Sequence, residues 1–122
     1  MDKLQIDEEK IEDVVVLKLQ GLVDSGTSQL MEGRLNDLIS DGNVKIVVDL
    51  DLVDYISSAG WGIFVGEIKG VRASDGDIKL ASMRPDVREV FDLLEFNTLL
   101  TPYDSRRDAL AAFESDKRSE FA

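Results

Sequence analysis

Residues 47–69 read VVDLDLVDYISSAGWGIFVGEIK and join a strand to a helix through a pair of serines. The near-continuous run of Ile, Val and Leu over residues 43–53 predicts a strand that is covered on both faces. Residues 58–72 then carry apolar side chains at helical spacing, at Trp61, Phe64, Val65, Ile68 and Val71. A buried strand that leads straight into a helix is the repeating unit of a parallel sheet, so this stretch predicts an α/β fold.

Strands and helices alternate through the rest of the chain. We predict further strands over residues 3–9, 13–20, 77–83 and 98–104, and helices over residues 24–42, 84–96 and 105–118. In the second of these helices, Val87, Val90, Phe91 and Leu94 are expected to face inward. Only a tight connection separates the first two strands, which makes them an antiparallel pair. The predicted fold class is α/β, with a mixed, mostly parallel sheet of four to five strands packed with about four helices.

Glycines and capping residues mark where these elements begin and end. Gly21 is expected to close the second strand, and Gly42 is expected to stop the first helix. Asp24, Ser25 and Thr27 precede that helix. Each of the three is a candidate N-cap, because its side-chain oxygen can accept a hydrogen bond from an unpaired backbone N–H.

Length and composition exclude several classes of function. A chain of 122 residues is expected to form one domain, residues 1–122. The chain has no histidine and no cysteine, which rules out Ser-His-Asp and Cys-His catalysis and zinc held by those side chains. Its formal net charge is −11, from 25 acidic and 14 basic residues, and such a surface repels nucleic acid and anionic lipid. We expect no cofactor, no metal, no nucleic acid and no membrane among its ligands, and composition leaves only oxygen-ligand metal chemistry open.

The sequence shows no targeting pattern. Its apolar runs are far shorter than a membrane span, and no basic region precedes an apolar segment at the N-terminus. The absence of cysteine fits a reducing compartment. The expected localisation is cytoplasmic.

The serine pair, Ser57 and Ser58, stands where the central helix is predicted to begin. Its default role is structural, because an N-cap hydroxyl stabilises a helix by about 1 kcal/mol. A phosphate added there would bring roughly −1.5 to −2 charges to the positive end of the helix dipole, which tolerates them. Nearby acids such as Asp24 or Asp54 would oppose that charge, and a partner shaped for a neutral serine would be released. The pair is therefore a candidate switch as well as a candidate cap.

Two enzyme-like patterns offer an alternative. The motif Asp49-Leu50-Asp51 follows an apolar strand, as in haloacid-dehalogenase-type phosphotransferases, but a later acidic pair at a strand end is missing. Receiver domains of two-component systems have a similar size, but they need a helix between the first two strands and a late lysine, and this chain has neither. The enzyme-class hypothesis is an aspartate-based, magnesium-dependent phosphotransferase centred on Asp49 and Asp51.

Three segments in order match one known family. In that family an apolar strand runs into an Asp-Ser-Ser/Thr-Gly-Leu-Gly turn and a helix, and residues 47–69 resemble this segment with Ser-Ser-Ala-Gly-Trp-Gly at the turn. Residues 19–35, LQGLVDSGTSQLMEGRL, are similar to its segment leading into the first helix, and residues 76–110 are similar to the region after the turn. Across essentially its whole length the chain resembles the STAS domain family, and within it the stand-alone bacterial anti-sigma factor antagonists. The resemblance implies a single STAS-type domain.

The resemblance also implies which residues carry the function. Gly60-Trp61-Gly62 matches the family's Gly-Leu-Gly, which places the phosphorylated serine on Ser58 and leaves Ser57, the second choice, at the aspartate position. Asp24 matches the family's aspartate at the head of the first helix. Trp61, which replaces a leucine, is expected in the core or at its edge rather than as an exposed anchor. The implied partner-binding residues are Asp24, Ser25, Ser57, Ser58, Ala59, Gly60, Trp61 and Gly62.

The mechanism that the resemblance implies is a partner switch with no catalytic residue in this chain. The unphosphorylated protein would bind an anti-sigma factor serine kinase and free the sigma factor. Phosphorylation of Ser58 would release this protein, and a serine phosphatase would reset it. The alternative is a non-phosphorylated STAS scaffold or sensor subunit of a signalling complex, because Ser57 stands where the family has aspartate. Both functions are compatible with a monomer or a weak dimer.

Overall fold

The strands form one five-stranded sheet. A computed structural model describes the backbone of residues 3–120 and the side chains of residues 3–116. The strands are β1 (Leu4–Ile11), β2 (Val14–Val23), β3 (Lys45–Ile56), β4 (Asp77–Ala81) and β5 (Thr101–Tyr103). They lie in the order β1-β2-β3-β4-β5, with β1 and β2 antiparallel and each later pair of neighbours parallel. The predicted mixed, mostly parallel sheet is confirmed.

Helices cover the two faces of the sheet unequally. They are α1 (Ser28–Ser40), α2 (Ser58–Ala73), α3 (Pro85–Leu93) and α4 (Arg106–Glu120), and a 3-10 turn at Phe96–Thr98 precedes β5. The larger core lies between the sheet and α1, α2 and α3. A smaller core lies under α4 on the other face. Because Val48 belongs to the first core and Val47 to the second, β3 is buried on both faces, as predicted.

The two glycines predicted to end elements behave differently. Gly42 has φ +91° and follows Asp41, the C-cap residue of α1, so it stops the helix as predicted. The prediction for Gly21 was wrong, because β2 continues to Val23. Gly21 has φ +115°, and a Cβ at this position would lie 2.1 Å from the carbonyl oxygen of Lys3. The strand therefore bends at Gly21, where its pairing with β3 shifts register, and does not end there.

Helix α3 turns a narrower apolar stripe inward than the sequence predicts. Val87 and Phe91, one turn apart, are buried. Val90 is 40% exposed and Leu94 is 52% exposed, so their predicted inward orientation was wrong. The physical reason is that α3 ends at Leu93 and packs on the sheet through the single stripe of Val87 and Phe91.

Helix α4 is joined to the sheet by an ion pair with a buried carboxylate. The side chain of Asp49, in the middle of β3, is only 9% exposed. Arg106, at the start of α4, approaches Asp49 Oδ2 with Nε at 3.1 Å and with Nη2 at 3.0 Å. Its Nη1 contacts Glu9 Oε2 at 2.8 Å. A buried carboxylate needs such a partner, because an isolated buried charge is strongly destabilising.

A second buried charge lies under the same helix. The Nζ of Lys79 is 3.0 Å from Asp77 Oδ2 and 3.0 Å from Asp116 Oδ2, and it lies 4.5 Å from the centre of the Phe113 ring. Burial by itself would lower the pKa of Lys79, but its hydrogen bonds to the two carboxylates outweigh burial and hold the pKa above its ordinary value. Lys79 is therefore a charged group that the smaller core encloses.

Substituting Arg106 by Met should lower the free energy of unfolding by about 1–3 kcal/mol, because Asp49 would stay buried without its partner. Removing both charges in Asp49→Leu/Arg106→Met should recover most of that loss. Urea denaturation measures both effects. Arg34→Met is the matched control, because Arg34 pairs with Glu8 at the surface and should cost less than about 1 kcal/mol. Equal losses for Arg34→Met and Arg106→Met would contradict the assignment.

Candidate functional site

The predicted site residues lie on two loops that meet at one edge of the sheet. Residues 24–27 join β2 to α1, and Ser57 joins β3 to α2. Because β2 and β3 are parallel, both loops leave the sheet at the same edge. The backbone N–H of Ser57 donates a 2.7 Å hydrogen bond to the carbonyl oxygen of Val23. This bond fixes one loop against the other.

The two serines have different environments. Ser57 is the N-cap of α2, and its hydroxyl oxygen accepts a 3.3 Å hydrogen bond from the backbone N–H of Gly60. Ser58 is the first residue of the helix and is exposed. Within residues 3–116 the hydroxyl of Ser58 makes no hydrogen bond. Ser57 therefore has the structural role of capping α2, and the exposed hydroxyl of Ser58 at the edge of the sheet has no hydrogen bond to the described residues.

Asp24 organises the other loop. Its Oδ1 accepts hydrogen bonds from the backbone N–H groups of Gly26 and Thr27, each at 2.9 Å, and lies 3.2 Å from the hydroxyl of Thr27. Its Oδ2 lies 3.5 Å from the Nζ of Lys3. The backbone N–H of Thr27 contributes most to lowering the pKa of Asp24 below its ordinary value. Partial burial acts in the opposite direction and raises the pKa. The backbone N–H of Gly26, the hydroxyl of Thr27 and the charge of Lys3 lower the pKa further.

The three candidate N-caps of α1, Asp24, Ser25 and Thr27, have different roles in the structure. Thr27 occupies the N-cap position, but its side chain makes no capping hydrogen bond to the helix. Its hydroxyl donates instead to the carbonyl oxygen of Leu22 at 2.7 Å and accepts from the backbone N–H of Asp24 at 2.9 Å. Ser25 is exposed at the tip of the loop. The carboxylate of Asp24 is thus used to shape the loop before the helix begins.

Gly60 lets α2 start directly against the end of β2. A Cβ at Gly60 would lie 2.7 Å from Val23 Cγ1 and 2.9 Å from Ile56 Cγ2, both closer than side chains tolerate. Gly62, two residues later, is exposed, and a Cβ there would have no neighbour within 4 Å. Only the first of these two glycines is required by packing.

Trp61 lies beneath the site and not on its surface. It is 1% exposed, which is the core position that the sequence analysis favoured. Its ring centre lies 6.3, 5.7 and 5.2 Å from those of Phe64, Phe91 and Phe96. Among the side chains described, no acceptor pairs with its buried Nε1. Gly60 is buried as well, so these two residues support the surface that Ser25, Ser58, Ala59 and Gly62 expose.

An ion pair that sequence reasoning missed lies at the same edge. Arg84, in the loop between β4 and α3, donates from Nε to the carbonyl oxygen of Asp51 at 2.9 Å and pairs through Nη1 with Asp54. Pro85 is the available sequence signal, because a residue before proline is held extended, as Arg84 is at ψ 156°. The sequence does not show that Arg84 contacts Asp51 and Asp54, which lie 33 and 30 positions earlier in the chain.

The aspartates of the enzyme-class hypothesis do not form a cluster with other acids. Asp49 is held by Arg106, and Asp51 is exposed one pleat further along β3. Over the described side chains, no group of three or more histidine, cysteine, aspartate or glutamate residues is placed to hold a metal ion. Across the part of the chain with described structure, no helix is both long and apolar enough to cross a membrane.

Gly60→Ala should destabilise the protein by about 1–3 kcal/mol, because the new methyl group would overpack the contact with Val23 and Ile56. Gly66→Ala is the matched control on the same helix, since a Cβ there has open space. It should stabilise the protein by about 0.5–1 kcal/mol through helix propensity. Thermal and urea unfolding measure both changes. Stabilisation by both substitutions would show that Gly60 is not a packing requirement.

Asp24 should make part of the stability depend on acid pH. Its pKa is lower in the folded protein than in the unfolded chain, so its ionised form favours folding above the unfolded-state pKa. That contribution is lost as the pH falls through the lowered folded-state value. Asp24→Asn should therefore flatten the loss of stability as the pH falls below the unfolded-state pKa of aspartate, measured by urea unfolding at each pH. Ser25→Ala, a neighbouring change without a titrating group, should keep the wild-type profile, and an unchanged profile in Asp24→Asn would contradict the assignment.

Comparison with known proteins gives a consistent result. A family model described as the STAS domain matches residues 5–109. BtrV of Bordetella bronchiseptica, assigned as an anti-sigma factor antagonist, is 35% identical over 113 residues, which cover 93% of this chain and 96% of BtrV.

Solved structures share the fold. TM1081 of Thermotoga maritima, also assigned as an anti-sigma factor antagonist, matches with a TM-score of 0.83 at 24% identity, over 88% of this chain and 92% of that one. The anti-sigma factor antagonist SpoIIAA in its unphosphorylated form matches with a TM-score of 0.77 at 19% identity, over 91% and 97%. Its phosphorylated form from Bacillus matches at 0.69 and 19%, over 89% and 99%. The sheet order, the two loops at one edge and these matches lead to one conclusion: the chain belongs to the STAS domain family, and its relatives include proteins named as anti-sigma factor antagonists.

Proposed function

We propose that this chain is a phosphorylation-regulated anti-sigma factor antagonist. In the unphosphorylated state it binds an anti-sigma factor that is also a serine kinase, and the sigma factor is released. The observation that carries the proposal is the division between the serines, in which Ser57 caps α2 and Ser58 exposes a hydroxyl with no hydrogen bond to residues 3–116. SpoIIAA, which has the same fold, has been solved in both unphosphorylated and phosphorylated forms.

The geometry favours Ser58 over Ser57 as the phosphate acceptor. Ser57 is half-buried, and its oxygen is occupied by the N–H of Gly60, so modification there would disturb the cap. The hydroxyl of Ser58 is open to a kinase. A phosphate on the first residue of α2 lies at the positive end of the helix dipole, where the helix tolerates it. The fold survives the modification, and its effect falls on the bound partner.

Release of the partner follows from the character of the surrounding surface. Ser25, Ala59 and Gly62 present small, uncharged groups that allow close approach of another protein. At this edge Lys3 already pairs with Asp24, and Arg84 already pairs with Asp54. A phosphate enclosed by a partner here would therefore compete with carboxylates for positive charge. An unpaired charge buried in an interface costs several kcal/mol, which is enough to separate the two proteins.

A serine phosphatase removes the phosphate and restores binding. The chain acts in the cytoplasm as a single domain, as a monomer or weak dimer, and takes no catalytic part in either reaction. Its contact surface is formed by Asp24, Ser25, Ser57, Ser58, Ala59 and Gly62, with Gly60 and Trp61 supporting it from below.

The alternative function is a STAS scaffold or sensor subunit that is never phosphorylated. It is favoured by Ser57, which stands where the family's turn has an aspartate. In that case the partner complex would be stable and would not respond to phosphatase. The same loop surface would serve as a constant contact.

Incubation with a cognate serine-kinase anti-sigma factor and ATP should add one phosphate to the wild-type protein and none to Ser58→Ala, as measured by intact mass and site mapping. Ser57→Ala should still be phosphorylated, while losing about 1 kcal/mol of stability with its cap. Ser58→Glu should weaken partner binding by at least about tenfold. Phosphate on Ser58→Ala would refute the choice of site. A wild-type protein that stays unmodified in a phosphatase-insensitive complex would favour the scaffold.

A further inference from the structure

An apolar groove lies beside the serine turn, between the end of β3 and α3. A cavity of about 200 Å³ there is lined by Asp54, Tyr55, Ile56, Trp61, Asp86, Val87 and Val90. Three of these residues, Ile56, Trp61 and Val87, are buried and form its base. Tyr55, which is 54% exposed, and Val90 form its apolar rim. The cavity has room for one large apolar side chain.

Exposed leucines extend the cavity along α3. Leu93 is 78% exposed, and with Val90 and Leu94 it occupies positions i, i+3 and i+4 of the chain. This spacing places the three side chains on one side of the helix, next to the buried stripe of Val87 and Phe91. Single exposed apolar residues are common, but a contiguous set beside a cavity marks an interaction surface. We call Tyr55, Val90, Leu93, Leu94 and the cavity the α3 groove.

The charges beside the α3 groove are negative. Asp86 and Glu89 are exposed, and they lie four residues before Val90 and Leu93 respectively, so both are on the same side of α3 as the apolar residues of the groove. Arg88 points away from this side, pairs with Asp92 at 3.0 Å and lies over the ring of Phe91. At the cavity, the positive charge of Arg84 is already paired with Asp54. The groove thus combines an apolar centre with an acidic border.

These features select one kind of occupant. A second copy of this chain would carry a net charge of −11 towards the same acidic border, so self-association through the groove is disfavoured. Anionic lipid is repelled for the same reason. A helix with one apolar face and basic flanking residues matches both the apolar centre and the border.

We propose that the α3 groove docks a basic amphipathic helix of a partner protein. One large apolar side chain of that helix enters the cavity above Trp61, and its lysines or arginines lie against Asp86 and Glu89. This docking site goes beyond the switch described above, because it uses α3 and Tyr55 and needs no change at Ser58. It gives the protein a second contact that phosphorylation leaves in place.

Synthetic peptides can test the site on the full chain. The probe is a Leu/Lys amphipathic helix, compared with a scrambled peptide of the same composition that has no apolar face, and with a Leu/Glu amphipathic helix. Trp61 is the single tryptophan of the chain and lines the cavity, so its fluorescence reports occupancy. The Leu/Lys helix should shift Trp61 emission and the amide NMR signals of Tyr55 and α3. Both control peptides should bind at least about tenfold more weakly.

Variants decide whether binding occurs in the groove. Val90→Asp/Leu93→Asp changes exposed side chains, so the protein should stay folded by circular dichroism, and binding of the Leu/Lys helix should fall at least about tenfold. Leu30→Asp, which changes an exposed leucine on α1, should keep wild-type binding. Wild-type binding by the Val90→Asp/Leu93→Asp variant, or equal binding of the scrambled peptide, would overturn the proposal. So would sedimentation data showing a wild-type dimer that Leu93→Asp dissociates, because a second copy would then be the occupant.

Discussion

The site depends on the contact between the end of β2 and the start of α2. The 2.7 Å hydrogen bond from the N–H of Ser57 to the oxygen of Val23 joins the residue that follows β3 to the last residue of β2. Directly above it, Gly60 packs on the side chains of Val23 and Ile56 with no space for a Cβ. The position and direction of α2 follow from this contact, and so does the exposure of Ser58. In the proposed switch, this contact therefore determines where the hydroxyl of Ser58 meets a partner.

Acidic residues have three different roles in this protein. Asp24 shapes a loop, because its carboxylate accepts hydrogen bonds from two backbone N–H groups. The same hydrogen bonds lower its pKa. Asp49 is buried and neutralised by Arg106, which joins α4 to the sheet. Asp86 and Glu89 remain exposed beside the α3 groove. The acidic residues behind the net charge of −11 therefore include both structural carboxylates and carboxylates exposed on the surface.

The two proposed contact surfaces offer different chemistry to a partner. Around Ser58 the exposed residues Ser25, Ala59 and Gly62 are small and uncharged, so a phosphate on Ser58 would change both the charge and the shape of this surface. The α3 groove is apolar with an acidic border, and no step at Ser58 alters it. Trp61 is buried between the two, with its ring against Phe64, Phe91 and Phe96 and one edge lining the cavity. A rigid aromatic core thus supports both surfaces.

The sequence by itself determined the strand and helix order, the antiparallel first pair, the burial of β3 and the position of the serine turn. These features depend on residues close together in the chain, such as the apolar run before Ser57 and the helical spacing from Trp61 to Val71. Only the tertiary structure decided that Ser57 is the cap and Ser58 the exposed hydroxyl, that β2 bends at Gly21, and that Val90 faces outward. It also paired Asp49 with Arg106, which is 57 positions away. Such contacts depend on how distant elements pack, and periodicity along one segment carries no information about that.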